Sequence, residues 1–98
     1  MAQFYDIDGT IHQKNRLAIM AHLVAVGETD FLTLKKTLGL SDGNLSVHTS
    51  ILENKGYIEV EKSFVGKKAH TTYRITPKGR KAFGEYVAHL ESILHSAG

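Results

Sequence analysis

Several residue types that mark particular protein classes are missing from this sequence. It has no cysteine, which excludes disulfide bridges, thiolate metal sites and cysteine nucleophiles. It has a single proline, Pro77, and no linker or repeat, so the 98 residues are expected to form one domain, 1–98. It has neither a signal-peptide pattern nor the roughly 18 consecutive apolar residues of a membrane span. These absences favour a cytoplasmic protein with no membrane partner.

Acidic residues are missing from one long segment. From Lys62 to Gly84 there are seven Lys and Arg residues and no Asp or Glu, whereas the rest of the chain has five basic and ten acidic residues. The modest net charge of +2 therefore hides a strongly basic segment. Positive charge concentrated in this way favours binding to phosphate groups, such as those of nucleic acids.

The first half of the chain has the pattern of three helices and a short extended segment. Gly27, Gly39 and Gly56 follow runs of helical spacing and are expected to end the helices. Ser41 is a suitable N-cap because its hydroxyl can accept a hydrogen bond from the backbone N–H of Asn44. The predicted ranges are 11–26 for the first helix, 28–30 for the extended segment, 31–38 for the second helix and 41–55 for the third.

The second half predicts a hairpin and a last helix. Ile58, Val60 and Phe64 lie at even spacing with charged residues between them, which is the period of a half-exposed strand. Thr71, Tyr73 and Ile75 repeat that period. The predicted ranges are 58–75 for the hairpin, 65–70 for its loop and 77–96 for a last helix capped by Thr76. The order of elements predicts a mainly helical α+β fold, the winged helix-turn-helix, with a two- or three-stranded β-wing.

The residues resemble those of a known group of proteins, the compact winged-helix transcriptional regulators related to the MarR and ArsR groups. The resemblance rests on the first helix, on the turn and third helix, on the hairpin and on the start of the last helix. Thr49 departs from the pattern, since a leucine is usual at its position. The resemblance implies a homodimeric, DNA-binding transcriptional regulator. The residues that carry it are Ile11–His12, Arg16–Leu17, Ile19, Leu38–Ser46, His48, Leu52–Glu53, Gly56–Ile58, Lys62, Phe64, Gly66–Lys68, Thr71–Tyr73, Thr76–Pro77 and Gly79–Arg80.

Helical periodicity divides the third helix into a core side and a DNA side. Leu45, His48 and Leu52 are predicted to face the core, with Thr49 at the margin. Amide side chains can pair with adenine, hydroxyls with bases or phosphate, and a valine with a thymine methyl group. The alternative is that the serines face solvent and that Asn44 only caps the helix. The candidate DNA contacts are Asp42, Gly43, Asn44, Ser46, Val47 and Ser50.

The wing supplies further candidates. Lys67 and Lys68 at the predicted tip, with His70 nearby, are expected to reach the sugar-phosphate backbone or the adjacent minor groove of DNA. The alternative for the lysines is a solvated loop. Arg74 is equally compatible with a phosphate contact and with an ion pair to Glu59 or Glu61 across the hairpin.

The last helix carries an apolar stripe with heptad spacing, which is typical of helices that pair. The alternative is that the stripe packs on the protein's own body. We expect a two-fold homodimer that binds a pseudo-palindromic operator and acts as a repressor, with room for a small-molecule effector at the dimer interface. The candidate interface residues are Phe83, Tyr86, Val87, Leu90, Ile93 and Leu94.

Other chemistry finds little support in the sequence. His89, Glu91 and His95 do not fall on one helix face, so no metal site within a single chain and no cofactor are predicted. A histidine site between two subunits is left open. Neither a phosphate-binding glycine loop nor an activated nucleophile is present, so an enzyme is not expected. The competing hypothesis is a winged helix that binds a partner protein and never touches DNA. The basic wing favours double-stranded DNA.

Overall fold

The structure, a computed structural model, describes residues 6–97 of the chain. It confirms the mainly helical α+β winged-helix arrangement, with the wing in its three-stranded form. Residues 1–5 and 98 of the predicted domain lie outside the described residues. In the part that is described, no helix is long and apolar enough to cross a membrane. The elements are α1 (Lys14–Val26), β1 (Glu28–Asp30), α2 (Phe31–Leu38), α3 (Asp42–Asn54), β2 (Ile58–Val65), β3 (Lys68–Ile75) and α4 (Pro77–Ala97).

The first helix begins two to three residues later than the sequence pattern predicts. α1 starts at Lys14 after the N-cap Gln13, and residues 11–13 form turns. Ile11 is nonetheless completely buried, so its apolar character reflects burial in a turn and not a helical position. The other helix ends lie within one residue of the predicted ranges, at Asn54 for α3 and Ala97 for α4.

Side chains hold the segment before α1 in its turn. The Asp8 Oδ1 atom accepts hydrogen bonds from the backbone N–H groups of Thr10 at 2.9 Å and Ile11 at 3.3 Å. The other carboxylate oxygen accepts from the Tyr57 hydroxyl at 2.6 Å, and Arg16 Nε donates to the Thr10 carbonyl at 2.6 Å. Burial and the neighbouring Asp8 raise the pKa of Tyr57 to about 12. These polar contacts hold the segment in a turn, and α1 begins after it at the Gln13 cap.

Besides Gln13, which caps α1 by accepting from the backbone N–H groups of Asn15 and Arg16, side-chain caps begin the other three helices. Each cap accepts a hydrogen bond from a backbone N–H in the first turn, at 2.8 to 3.1 Å. The caps on α3 and α4 are those that the sequence predicts, and the cap on α2 is an additional one. The pairs are Asp30 with Thr33, Ser41 with Asn44, and Thr76 with Gly79.

The sheet is antiparallel, with strand order β1-β3-β2. Val65 pairs with Lys68, so only Gly66 and Lys67 remain in the turn, and the predicted loop over 65–70 is too long. Gly66 has a φ of +65°, a conformation that glycine adopts without steric cost. The wing is therefore a tight hairpin and not a polar loop on two short strands.

The core lies between the helices and the base of the sheet. Tyr73 is 3% exposed, but Phe64, which the strand period places on the same face of the hairpin, is 74% exposed because none of residues 6–97 packs over it on the outer half of the wing. Thr49 is buried and His48 only half-buried, the reverse of the prediction. The Thr49 hydroxyl donates to the Leu45 carbonyl at 2.7 Å, which makes its burial inexpensive. The fully buried side chains are Ile11, Ile19, Met20, Leu23, Leu34, Leu45, Leu52 and Ile58.

A close backbone contact joins α4 to the base of the sheet. The Tyr57 carbonyl accepts hydrogen bonds from the backbone N–H and the hydroxyl of Thr76, at 3.1 and 3.0 Å. A side chain at Gly79 would place its Cβ 2.1 Å from that carbonyl oxygen and 2.9 Å from Ile75 Cδ1. Only glycine fits here, and the fit fixes where α4 leaves the hairpin.

Candidate nucleic-acid interface

The outer side of α3 consists of small side chains. All five of its predicted base contacts other than Asp42 are exposed to solvent, and Val47 is 57% exposed. A Cβ added at Gly43 would meet nothing within 4 Å, so this turn of the helix borders open space. The helix backbone can therefore approach a partner surface closely. The five residues are Gly43, Asn44, Ser46, Val47 and Ser50.

Asp42, the sixth candidate, is already engaged. Its carboxylate forms an ion pair with Lys35 Nζ at 2.5 Å, between α2 and the first turn of α3. The ion pair offsets a negative charge that would otherwise repel phosphate. Asp42 therefore helps to hold α3 against α2. The N-cap is Ser41 and not Asn44, which leaves the Asn44 side chain on the outer surface without a capping role.

A cleft of about 210 Å³ separates α3 from the wing. Ser46 and Ser50 line its α3 side, and Lys62 and Thr71 line its wing side, while Glu53 marks the end nearest the sheet base. Lys62 was not among the predicted contacts. Lys62 follows Val60 by two positions, so both side chains lie on the strand face that turns towards α3. This spacing in the sequence could have identified Lys62 as a candidate contact.

The predicted wing contacts separate into two groups. Lys67 and Lys68 lie at the turn and are exposed, as the sequence predicts. His70 is half-buried and lies further back, where it lines a pocket of about 190 Å³ with Asp30, Phe31 and Leu32. The two lysines are thus the charges that the wing presents at its tip, whereas His70 lies beside the start of α2.

Arg74 lies at the base of the hairpin between two carboxylates. Its guanidinium contacts Glu28 at 2.9 Å and Glu59 at 3.0 Å, and these partners raise its pKa above the usual value. Of the two alternatives that the sequence leaves open, the structure therefore shows the ion pair. Its charge is therefore balanced and lies far from the tip, which makes Arg74 a poor candidate for DNA contact.

His48 connects α3 to α1. Its Nδ1 atom lies 3.1 Å from Nη1 of Arg16, and its Nε2 atom lies 3.3 Å from the Asn15 side-chain amide. Because a guanidinium only donates, Nδ1 must accept and the imidazole is neutral in this contact. Burial, followed by the Arg16 charge, lowers the pKa of His48. The contact holds α3 from the side opposite its exposed residues.

The predicted dimer residues on α4 differ in how much surface they offer. Leu94 is 64% and Val87 38% exposed, whereas Phe83 and Leu90 pack against the protein's own core. Tyr86 is 4% exposed and its hydroxyl lies 2.9 Å from His12 Nδ1, so it is a core residue of its own chain. The free part of the stripe therefore lies towards the C-terminus of α4, where Ile93 is half-buried.

Within residues 6–97, no three His, Asp or Glu side chains come together as a metal ion would require. The polar groups described above fit the recognition of a charged, elongated partner.

Comparison with known proteins identifies the family of the chain. The winged helix DNA-binding domain family matches residues 15–94. An uncharacterized protein of Methanocaldococcus jannaschii is 40% identical over 75 residues, which cover 76% of this chain and 82% of that protein. A transcriptional regulator homologue from Pyrococcus horikoshii OT3 superimposes with a TM-score of 0.82 at 25% identity, over 90% of this chain and 87% of that one.

A more distant structural neighbour shares the fold. The structure of overoxidized AbfR bound to DNA matches with a TM-score of 0.74 at 18% identity, over 94% of this chain and 68% of that chain. The family match and the Pyrococcus horikoshii structure confirm the resemblance to winged-helix transcriptional regulators. The chain belongs to the winged helix DNA-binding domain family.

Proposed function

We propose that this protein binds double-stranded DNA as a homodimer, recognises a pseudo-palindromic operator and represses transcription from it. The observation that carries the proposal is the shape of one surface. The small-residue side of α3, the cleft and the lysine-tipped wing form a continuous face with its cations on the wing. A helix with short side chains fits into a major groove while an adjacent hairpin reaches the flanking backbone.

The side chains on α3 would supply base recognition. Asn44 can pair with adenine through two hydrogen bonds, and Val47 can pack on a thymine methyl group. Ser46 and Ser50 lie on the same side of the helix and also line the cleft, so each can bond a base edge or a phosphate oxygen. These are sequence-dependent contacts, and their replacement should change which sequences the protein prefers.

The wing and the cleft would supply phosphate contacts. Lys62 faces α3 across the cleft, and Lys67 and Lys68 extend from the turn. A DNA strand that leaves the major groove beside α3 would pass these three lysines in succession. Such contacts carry little sequence information but contribute strongly to affinity and make it depend on salt.

Dimerisation would use the exposed end of the α4 stripe. Leu94 and Val87 offer apolar surface that the single chain does not bury. A two-fold pair of α4 helices would place two copies of α3 on one face, separated by one or more turns of DNA. An AbfR structure of the same fold has been determined bound to DNA, which supports the DNA-binding part of this proposal.

Repression follows from occupancy, because a dimer that covers a promoter sequence competes with other proteins for that DNA. A small-molecule effector at the dimer interface and a cytoplasmic location stay predictions of the sequence.

Selection and binding assays test the proposal. Duplexes would be selected from a random pool with the wild-type protein. Affinity for the best 30-base-pair duplex would then be measured by fluorescence anisotropy across a salt series, with the protein's mass determined in the same buffer. The variant Lys67→Ala/Lys68→Ala should bind more weakly and with a shallower salt dependence. Lys78→Ala/Lys81→Ala removes the same charge from the start of α4, at the opposite end of the hairpin, and serves as the control.

The result separates the two hypotheses. Selection of an inverted repeat by a dimer, with affinity that falls steeply with salt, would support the proposed function. A folded dimer that enriches no sequence and binds no duplex at low salt would favour the protein-interaction module.

A further inference from the structure

The outer half of the wing has an unexpected composition for a solvent-exposed hairpin. All residues from 61 to 69 are exposed, so about 16 Å of β2 projects beyond the core. Within this projection Phe64 is 74% and Val65 66% exposed. Exposed edge strands usually carry charged or polar residues, because apolar ones invite aggregation. Two large apolar residues at consecutive positions of a projecting edge strand are unusual, and burial against a partner would remove both from water.

The strand register puts these two residues on opposite faces of the hairpin. Phe64 pairs with Ala69 on the face that also carries Lys62 and turns towards α3. Val65 pairs with Lys68 on the other face. The small Ala69 side chain leaves the ring of Phe64 uncovered from the neighbouring strand. The tip is therefore apolar on both sides and basic at its end.

The inference rests on the proposed function. We propose that the wing tip is an apolar wedge that enters the minor groove of DNA, where Phe64 packs on the deoxyribose wall of one strand and Val65 on that of the other. The minor groove is about 6 Å wide and lined by carbon-rich sugar faces, with phosphates along its rims. The apolar sides of the tip match the sugar faces, and the lysines Lys67 and Lys68 at its end match the phosphate charge.

The wedge would also contribute to specificity without hydrogen bonds to base edges. Apolar side chains in the minor groove favour sequences whose groove is open enough, and flexible enough, to admit them. The 2-amino group of guanine projects into this groove and occupies space. Base pairs that lack it should therefore be preferred where the wing inserts, in addition to the preferences set by α3.

Two threonine substitutions test the wedge. Phe64→Thr and Val65→Thr remove apolar surface but keep a residue that is favoured in strands, so the hairpin should still form. Val26→Thr is the matched control, because Val26 is also more than half exposed and lies at the end of α1. The thermal unfolding midpoint and the dimer mass would be measured for all three proteins.

Hydroxyl-radical footprinting, which reports on deoxyribose accessibility, would first locate the protected sugars beside each half-site of the selected 30-base-pair duplex. The base pairs at those positions would then be set to G·C, I·C or A·T. The I·C pair presents the same hydrogen-bonding groups as G·C in the major groove but lacks the amino group in the minor groove. Any difference between these two duplexes therefore arises in the minor groove.

The wild-type protein should bind the I·C and A·T duplexes more tightly than the G·C duplex. Phe64→Thr should weaken binding to the I·C duplex about tenfold, reduce the difference between duplexes and lose the flanking sugar protection. Val65→Thr should act in the same direction with a smaller loss, and Val26→Thr should behave as wild type.

Three other outcomes would contradict the wedge. If both wing variants match Val26→Thr on all three duplexes while the wild type binds its selected sequence, the wedge is wrong and the proposed function stands. If the variants change the oligomeric mass but not the footprint, the apolar tip contacts another copy of the chain. If the wild type selects no duplex, the proposed function and the wedge fail together.

Discussion

Arg16 and His48 are joined by a contact of 3.1 Å between Nη1 of the guanidinium and Nδ1 of the imidazole, which ties the start of α1 to the middle of α3. Arg16 also donates from Nε to the Thr10 carbonyl, so one side chain links the turn before α1 to the helix proposed to read DNA. The contact requires a neutral imidazole, since two cations would repel each other.

Protein stability should therefore fall in mild acid. The folded-state pKa of His48 is below its usual value of 6.5, so the unfolded chain binds the proton more readily. The stabilising contribution is present above pH 6.5 and is lost as the pH falls through that value towards the lower folded-state pKa. Denaturant unfolding from pH 8 to 5 would measure it.

His48→Gln keeps an acceptor for Arg16 and should flatten part of this pH dependence. His22→Gln, on α1, leaves the Arg16 contact intact and should retain it. Equal pH profiles for the wild type and His48→Gln would show that the contact does not control stability.

Gly79→Ala should destabilise the protein by about 1–3 kcal/mol or more. The added Cβ would lie 2.1 Å from the Tyr57 carbonyl oxygen, which is held by two hydrogen bonds from Thr76 and cannot move cheaply. Gly84→Ala is the control in the same helix, where the Cβ meets nothing within 4 Å, and it should raise stability by up to about 1 kcal/mol. Chemical denaturation compares them, and similar values for the two would contradict the close contact.

Gly43→Ala should separate stability from DNA binding. The Cβ enters open space, so the free energy of unfolding should rise by up to about 1 kcal/mol through helix propensity. The same methyl group would lie between α3 and the groove floor, so affinity for the selected duplex should fall. Unfolding and anisotropy measurements on one preparation test both effects. Unchanged affinity in the more stable variant would place this turn away from the DNA.

Leu94→Glu should produce monomers that bind the operator weakly. Leu94 is 64% exposed in the single chain, so the charge would disturb an interface between copies and not the fold. Leu90 is less suitable for this test because it packs against its own core. Ser92→Glu adds the same charge on the other side of α4 and should leave the dimer intact. Sedimentation equilibrium measures both, and a dimeric Leu94→Glu protein would place the interface elsewhere.

Lys62→Ala and Arg74→Ala should differ in their effect on salt dependence, although each removes one cation from the hairpin. Lys62 faces the cleft beside Ser46, so its loss should lower the slope of log affinity against log salt by about 1. Arg74 is balanced by Glu28 and Glu59, and its loss should leave that slope unchanged. A lower slope for Arg74→Ala alone would show that DNA approaches the other face of the sheet.

Much of the architecture could be predicted because it depends on local chemistry. Ser41 and Thr76 begin helices since their hydroxyls satisfy backbone groups three residues away, and this requires no distant contact. Gly27 and Gly39 end helices in conformations with positive φ for the same local reason. Even the exposed side of α3 followed from helical spacing, since Leu45 and Leu52 fixed which side had to be buried.

The sequence-based predictions failed where residues that are distant in sequence meet in the fold. The turn before α1 depends on Tyr57 reaching Asp8 across 49 positions of sequence, and no local pattern reveals that bond. The pairing of Arg74 with Glu28 spans 46 positions, and Lys62 became a candidate only when the hairpin turned one face towards α3.

The sequence by itself determined the order of the elements, their caps and the concentration of basic residues, because these depend on spacing and composition. Only the tertiary structure decided which of those charges remain available on the surface. A charge is neutralised or left exposed according to the side chains that folding brings within a few ångströms of it. In the same way, the exposure of an apolar residue such as Phe64 depends on where the core ends.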